Sequence, residues 1–317
     1  MFLRRSRERG WSGRRARRLV PYRRGISENV AGYLFLAPWL VGLLLIVVGP
    51  MATSLYLSFT DYNPLTQPTW VGLDNYIRMF TADPRYLASL RVTLVYVAFS
   101  VPLQLAAALV LAMALDRGVR GLAFYRSVYY LPSLLGSSVA IAILWRRVFG
   151  GDGLINSVLA LVGIEGPSWI SQPSTAVYTL VALSVWTFGS PMVIFLAGLR
   201  QIPHMYYEAA ALDGAGKVRQ FFHITLPLLT PVIFFNLILQ IIQSFQAFTS
   251  AFVVSGGTGG PVDSTLFYTL YLYQEAFTGF RMGYASAMAW VLMAIIALFT
   301  AINFLASRYW VFYDDER

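Results

Sequence analysis

An all-α polytopic membrane protein with six transmembrane helices is the fold class this sequence predicts, on three observations. Hydrophobic residues make up 57% of the 317-residue chain and charged residues only 12%, with a mean hydropathy of +0.60, outside the range of ordinary soluble domains. Six stretches, about 33–58, 88–115, 126–148, 175–199, 227–254 and 283–307, each supply the roughly 20 mainly apolar residues that a bilayer core requires of a helix. The net charge of +9 is gathered at one end: residues 1–24 hold ten arginines against the single acid Glu8, while the remaining 14 basic and 14 acidic residues cancel.

Residues 1–29 read as an arginine-rich arm retained on the cytoplasmic side by the positive-inside rule, with attraction to anionic lipid as a secondary effect and no nucleic-acid role. The first apolar stretch is too long for a secretory h-region and lacks a small-residue cleavage site, so it reads as an uncleaved span. The Arg-Arg pairs are weak grounds for a twin-arginine signal. Six spans place both termini on one side, and the domain from 30 to 310 ends in a short cytoplasmic tail, 311–317. With the arm inside, the loops carrying Arg117, Arg120, Arg200, Lys217 and Arg219 face the cytoplasm, whereas the outer loop around 149–174 holds Asp152 and Glu165 and no basic residue. Arg146 and Arg147, at the outer end of the third span, are the exception and read as interfacial snorkelling. Pro38, Pro50, Pro102, Pro132, Gly136, Gly189 and Pro191 fall inside spans, where neighbouring helices can satisfy the backbone groups they free and small residues permit close approach. The glycine-rich run 255–261 reads as a flexible outer loop or as a contact for an external partner.

No cysteine is present, which excludes disulfides and thiolate chemistry. All the acids fall outside the apolar spans, and His204 and His223 both lie in the loop after the fourth. That leaves no intramembrane group for proton relay, metal binding or acid–base work, so no catalytic and no metal residues are assigned. No phosphate-cradling G-x-x-x-x-G-K-[ST] occurs either, so the driving force comes from elsewhere. The spans do hold carboxamides: Gln104 in the second, and Asn236, Gln240, Gln243 and Gln246 in the fifth. Positions 236, 240 and 243 share one helix face. Interhelical hydrogen bonding is one account of them. A pathway face for a small neutral polar solute, with flat apolar surface from Phe245, Phe248, Trp186 or Tyr178, is the other.

The loop 200–226 has a mechanical logic of its own. Pro203 suits the first turn of a short helix carrying Tyr207 to Asp213. Gly214 permits a sharp turn, and Lys217 to Ile224 forms a second helix leading to Pro227. Ala209, Ala210 and Ala211 make a low surface for a partner's groove, with Glu208 placed to meet a basic residue there.

Glu208-Ala209-Ala210, Gly214 after three residues, and Ile224-Thr225-Leu226-Pro227 after nine more spell EAA-x3-G-x9-I-x-L-P, which resembles the cytoplasmic loop of binding-protein-dependent ABC importer permeases. Val71-Gly72-Leu73-Asp74-Asn75-Tyr76, Phe124-Tyr125-Arg126, Leu131-Pro132, Trp145, Gly153-Leu154-Ile155-Asn156 and Gly283-Tyr284-Ala285-Ser286-Ala287 resemble the maltose and glycerol-phosphate branch. The resemblance implies a type I importer permease fold, non-enzymatic, in the cell inner membrane. It further implies a second permease subunit, two nucleotide-binding ATPase subunits using ATP and Mg, and an extracytoplasmic solute-binding protein. Tyr207, Glu208, Ala209, Ala210, Asp213 and Gly214 would couple to the ATPase, and the cargo would be a sugar or related polyol. The large outer insert and extra N-terminal spans of the longest maltose-type members are missing, and nothing of theirs carries over. Two other readings stand beside this one: a membrane enzyme acting on a lipid-linked sugar, with Arg146 and Arg147 on a phosphate, and an ion-coupled transporter.

Overall fold

The computed structural model describes residues 28–118 and 121–312. The arm up to residue 27, Arg120 and the tail from 313 lie outside the described residues. The chain forms two compact units, one up to Ala52 and one from Thr53 onward.

In the first unit, the helix Glu28–Gly42 passes through a π-helical turn, Leu43–Val48, into the helix that starts at Gly49. The widened turn has a local cause. Pro50 has no N–H to donate and its ring would crowd the carbonyl four residues back, which an i→i+5 turn relieves.

The second unit is a helical bundle. Pro84–Asp116, the second span, lies at its centre. Its buried positions include Ser89, Thr93, Ser100, Ala108 and Ala112, so small side chains let the fourth and fifth spans approach its backbone. The fifth span, Lys217–Ser255, and the last, Met282–Trp310, are also long helices.

The third and fourth spans are not continuous. Leu122–Leu135 and Val139–Val148 meet at 95°, and Ala176–Trp186 and Gly189–Leu199 at 44°. Among the described residues, four helices are therefore long and apolar enough to cross a membrane, the fifth span with a lapse in regular helix between Phe245 and Thr249, and the predicted six require each bent pair to count as one span. The internal Pro and Gly residues of these two spans lie at or near the bends, where neighbouring helices satisfy the backbone groups they free. Ser138 starts a new helix by accepting from the Ile141 N–H at 3.3 Å, and Pro191 sits in the first turn of Gly189–Leu199, where a missing N–H costs nothing.

At the end of the bundle away from the loop 200–226, Asp83 caps the second span and ties three segments together. Its Oδ1 accepts from the backbone N–H groups of Arg85 (3.0 Å) and Tyr86 (3.1 Å), and its Oδ2 from the hydroxyls of Tyr271 (2.6 Å) and Tyr284 (2.7 Å). Burial alone pushes the Asp83 carboxyl up, but these four hydrogen bonds outweigh it and hold it below its ordinary range. Arg85 forks onto Asp263 at 3.1 and 2.9 Å, and Arg281 onto the buried Glu275 at 2.5 and 2.6 Å. A short antiparallel pair, Thr60–Asp61 with Thr69–Trp70, closes the same region, and the Gly283 N–H donates to Tyr62 O at 3.0 Å.

Candidate solute pathway and coupling loop

Three helix breaks converge on one cavity of about 390 Å³. Ser133, Gly136 and Ser137 come from the break in the third span, Ser184, Thr187 and Ser190 from that in the fourth. Gln246 to Ser250 come from the fifth, where regular helix lapses between Phe245 and Thr249. At membrane depth irregular backbone is tolerated where it is buried in protein or lines a wet cavity, and this wall combines hydroxyls and amides with the apolar side chains of Leu180, Leu183, Ala247 and Phe248 and holds no acidic or basic side chain.

The junction of the third and fourth spans is stapled. Gln104 Nε2 donates to Thr187 O (3.1 Å) and Thr187 Oγ1 (3.2 Å), and Ser184 Oγ donates to Gln104 Oε1 (3.2 Å). Ser133 Oγ donates to Thr187 O and accepts from the Ser190 N–H, both at 2.9 Å. Gly136 is required at this crossing, since a Cβ there would overlap the Thr187 methyl group.

The fifth-span amides divide. Gln240, Gln243 and Gln246 line the cavity, and no hydrogen bond joins their side chains to another described residue. Asn236 stands apart from that wall: it is 1% exposed and its Nδ2 donates to Val232 O at 3.1 Å within its own helix. Gln104, which also lines the cavity, is committed to the staple. Phe245 is buried against Phe299, whereas Phe248 reaches the cavity. Arg146 lines a separate cavity of about 460 Å³ with Ser168, Ser171, Ser255 and Thr258.

At the other end of the fifth span, Pro203 precedes the helix His204–Leu212. Gly214, at φ +77°, closes it. Its N–H bonds Ala211 O at 3.0 Å and the Ala215 N–H bonds Ala210 O at 2.9 Å, the paired bonds of a left-handed helix terminator that glycine adopts without strain. None of the side chains of His204–Leu212 is buried. Glu208, Ala209 and Asp213 are exposed, Ala210 and Tyr207 partly so. Leu212, which the reading of the alanine surface passed over, projects with 91% exposure, and Met205, about two turns earlier on the same helix, is exposed as well. Arg200 pairs with Asp116 at 3.5 Å, fastening the ends of the fourth and second spans beside this loop.

A helical bundle of long and broken spans, with an uncharged polar cavity at the breaks and an exposed helical loop at one end, defines a transport subunit rather than an enzyme. Residues 93–310 match the family described as binding-protein-dependent transport system inner membrane component, and the chain belongs to that family: it is an ABC importer permease. It is 53% identical over 291 residues to the probable ABC transporter permease protein YesP of Bacillus subtilis (strain 168), covering 92% of this chain and 94% of that one. It is 35% identical to the sn-glycerol-3-phosphate transport system permease protein UgpA of Yersinia pseudotuberculosis, over 90% of this chain and 97% of that one. The lactose transport system permease protein LacF of Rhizobium radiobacter is 32% identical, over 88% and 95%. The fold matches that of a bacterial alginate ABC transporter, solved with its alginate pentasaccharide-bound periplasmic protein, at TM-score 0.74 and 20% identity over 88% of this chain and 94% of that one. The lipid-linked-sugar enzyme and the ion-coupled transporter find no support among these relatives.

Proposed function

We propose that this permease carries a neutral sugar or polyol inward, and that Gln240, Gln243 and Gln246 form part of its passage. The relatives' names leave the charge of the cargo open, because lactose is neutral and glycerol 3-phosphate is an anion. The observation that carries the proposal is the cavity wall: three carboxamides without a hydrogen-bond partner among the described residues, and no cation in the lining to balance a phosphate or carboxylate. Burying an unbalanced anion there would cost several kcal/mol, whereas amides both donate to and accept from hydroxyls. Asn236, bonded within its own helix, belongs to this passage only if its side chain turns.

The working complex in this reading contains a second permease, a solute-binding protein on the outer side and ATPase subunits that use ATP and Mg. Both termini and the loop 200–226 lie in the cytoplasm, where Tyr207, Glu208, Ala209, Ala210, Asp213 and Gly214 meet the ATPase. The experiment is to purify the chain with its native partners, reconstitute it, and compare uptake of neutral sugars with that of sugar phosphates. Uptake of a neutral sugar driven by ATP is expected. ATP-driven uptake confined to phosphorylated or acidic sugars would reject the cavity argument, and recovery of the chain without an ATPase would reject the assembly.

A further inference from the structure

The hydroxyls of Tyr207 and Thr225 lie 2.9 Å apart. Among the described residues, this is the one side-chain hydrogen bond between the helix His204–Leu212 and the fifth span. Its partners differ in freedom. Thr225 is 7% exposed and ends a π-helical turn, Phe221–Thr225, which Pro227 explains as Pro50 explains the first. Tyr207 hangs from an exposed helix, and beside the pair lies a cavity of about 450 Å³ bounded by Met113, Asp116, Lys217 and Phe221. The coupling helix therefore has room to shift, while Thr225 is seated in the bundle.

From Thr225 regular helix runs through Leu226–Phe245. Gln240 and Gln243 follow roughly 20–30 Å along it, at a rise of about 1.5 Å per residue. Coupling between distant sites needs a stiff element that both ends can bias, and this helix joins the loop to the cavity wall.

We propose that the Tyr207–Thr225 hydroxyl pair is the joint that passes displacement of the coupling helix into the fifth span and so to the cavity wall, with both residues acting as positioning residues. This rests on the coupling reading given above, and it assigns Tyr207 an inward role distinct from contact with the ATPase.

The chain has no cysteine, so Gln243→Cys supplies a single reporter on the cavity wall. In the full reconstituted complex, the rate of its labelling by N-ethylmaleimide is measured with and without MgATP and vanadate. In the otherwise native chain the two rates should differ. Tyr207→Phe and Thr225→Val, each removing one hydroxyl, should shrink that ratio by about fivefold, as loss of one hydrogen bond implies, and in Thr225→Val, whose residue is buried and outside the ATPase contact, assembly and ATP hydrolysis should persist. The double variant should lose no more than either single one, and Thr225→Ser, which keeps the hydroxyl, should retain the native ratio. An unchanged ratio in the Phe and Val variants, additive losses, or failure of Tyr207→Phe to assemble would each overturn the joint. A reporter indifferent to MgATP in the otherwise native chain, or a chain recovered without an ATPase, would instead reject the importer assembly on which the joint rests.

Discussion

Gln104 and Gln243 face the same cavity and are predicted to fail in opposite ways when replaced by leucine. Gln104→Leu strands the Ser184 hydroxyl and removes both bonds to Thr187, which should cost about 2 kcal/mol of stability. Gln243→Leu breaks no protein hydrogen bond, so its unfolding should stay within about 0.5 kcal/mol of the native chain. Its uptake should fall about tenfold, the worth of one strong hydrogen bond to solute. Thermal unfolding in detergent and uptake in vesicles separate the two, and equal loss of stability in both would reject the division. Helical spacing alone exposed the stripe of amides in the fifth span, because i, i+4, i+7 is a property of one helix. Which amide a neighbouring span occupies depends, for Gln104, on where Ser184 and Thr187 stand, and no periodicity within one segment reports that.

Among the elements, the long spans were legible from apolar length, and the breaks were not. Pro132, Gly136 and Pro191 were visible, yet the same residues sit inside intact spans elsewhere, as Pro102 does in Pro84–Asp116. Beside the turn of 95° in the third span stand a local cap, Ser138 on the Ile141 N–H, and the close crossing of Gly136 with Thr187, and the second is a tertiary fact that the sequence does not display. The Asp83 hub was hidden for a related reason: its partners Tyr271 and Tyr284 are 188 and 201 residues away in sequence. Asp83→Ala leaves two buried hydroxyls without an acceptor and removes a helix cap, which should destabilise the chain by about 3 kcal/mol at neutral pH. The sign with pH follows from the lowered pKa of Asp83. The carboxylate's contribution is complete above its unfolded pKa of about 3.9 and is lost as pH falls through the lower folded value. The stability gap between native and Asp83→Ala proteins should therefore be widest near neutrality and close in acid. A gap unchanged down to pH 3 would place the stabilisation elsewhere.

At the scale of the whole molecule, the class was legible because the EAA-x3-G-x9-I-x-L-P pattern of the loop 200–226 is local in sequence, and the family match bears out the class it implied. Two features of the loop make separate demands. Gly214 at φ +77° serves the shape of the loop: Gly214→Ala adds roughly 1–2 kcal/mol of left-handed strain, which tilts the helix His204–Leu212 or frays its end. Leu212, 91% exposed, contributes little to this chain's own folding, yet a bare apolar side chain at the end of the helix we propose to dock fits the pattern of an interface anchor. Leu212→Asp should leave thermal unfolding within about 0.5 kcal/mol while reducing ATPase recovered on co-purification by tenfold or more, since anchor truncation commonly costs at least about 2 kcal/mol. Glu208→Lys, an exposed charge reversal, should do the same if a basic residue faces it, with a loss that deepens at low salt as like charges go unscreened. Gly214→Ala should lower both recovery and the cooperativity of unfolding. The comparison tests whether docking resides in the shape of the loop or in its projecting side chains. Full ATPase recovery with Leu212→Asp, against loss with Gly214→Ala, would assign docking to loop shape and confine the side chains' role to transmission through Tyr207.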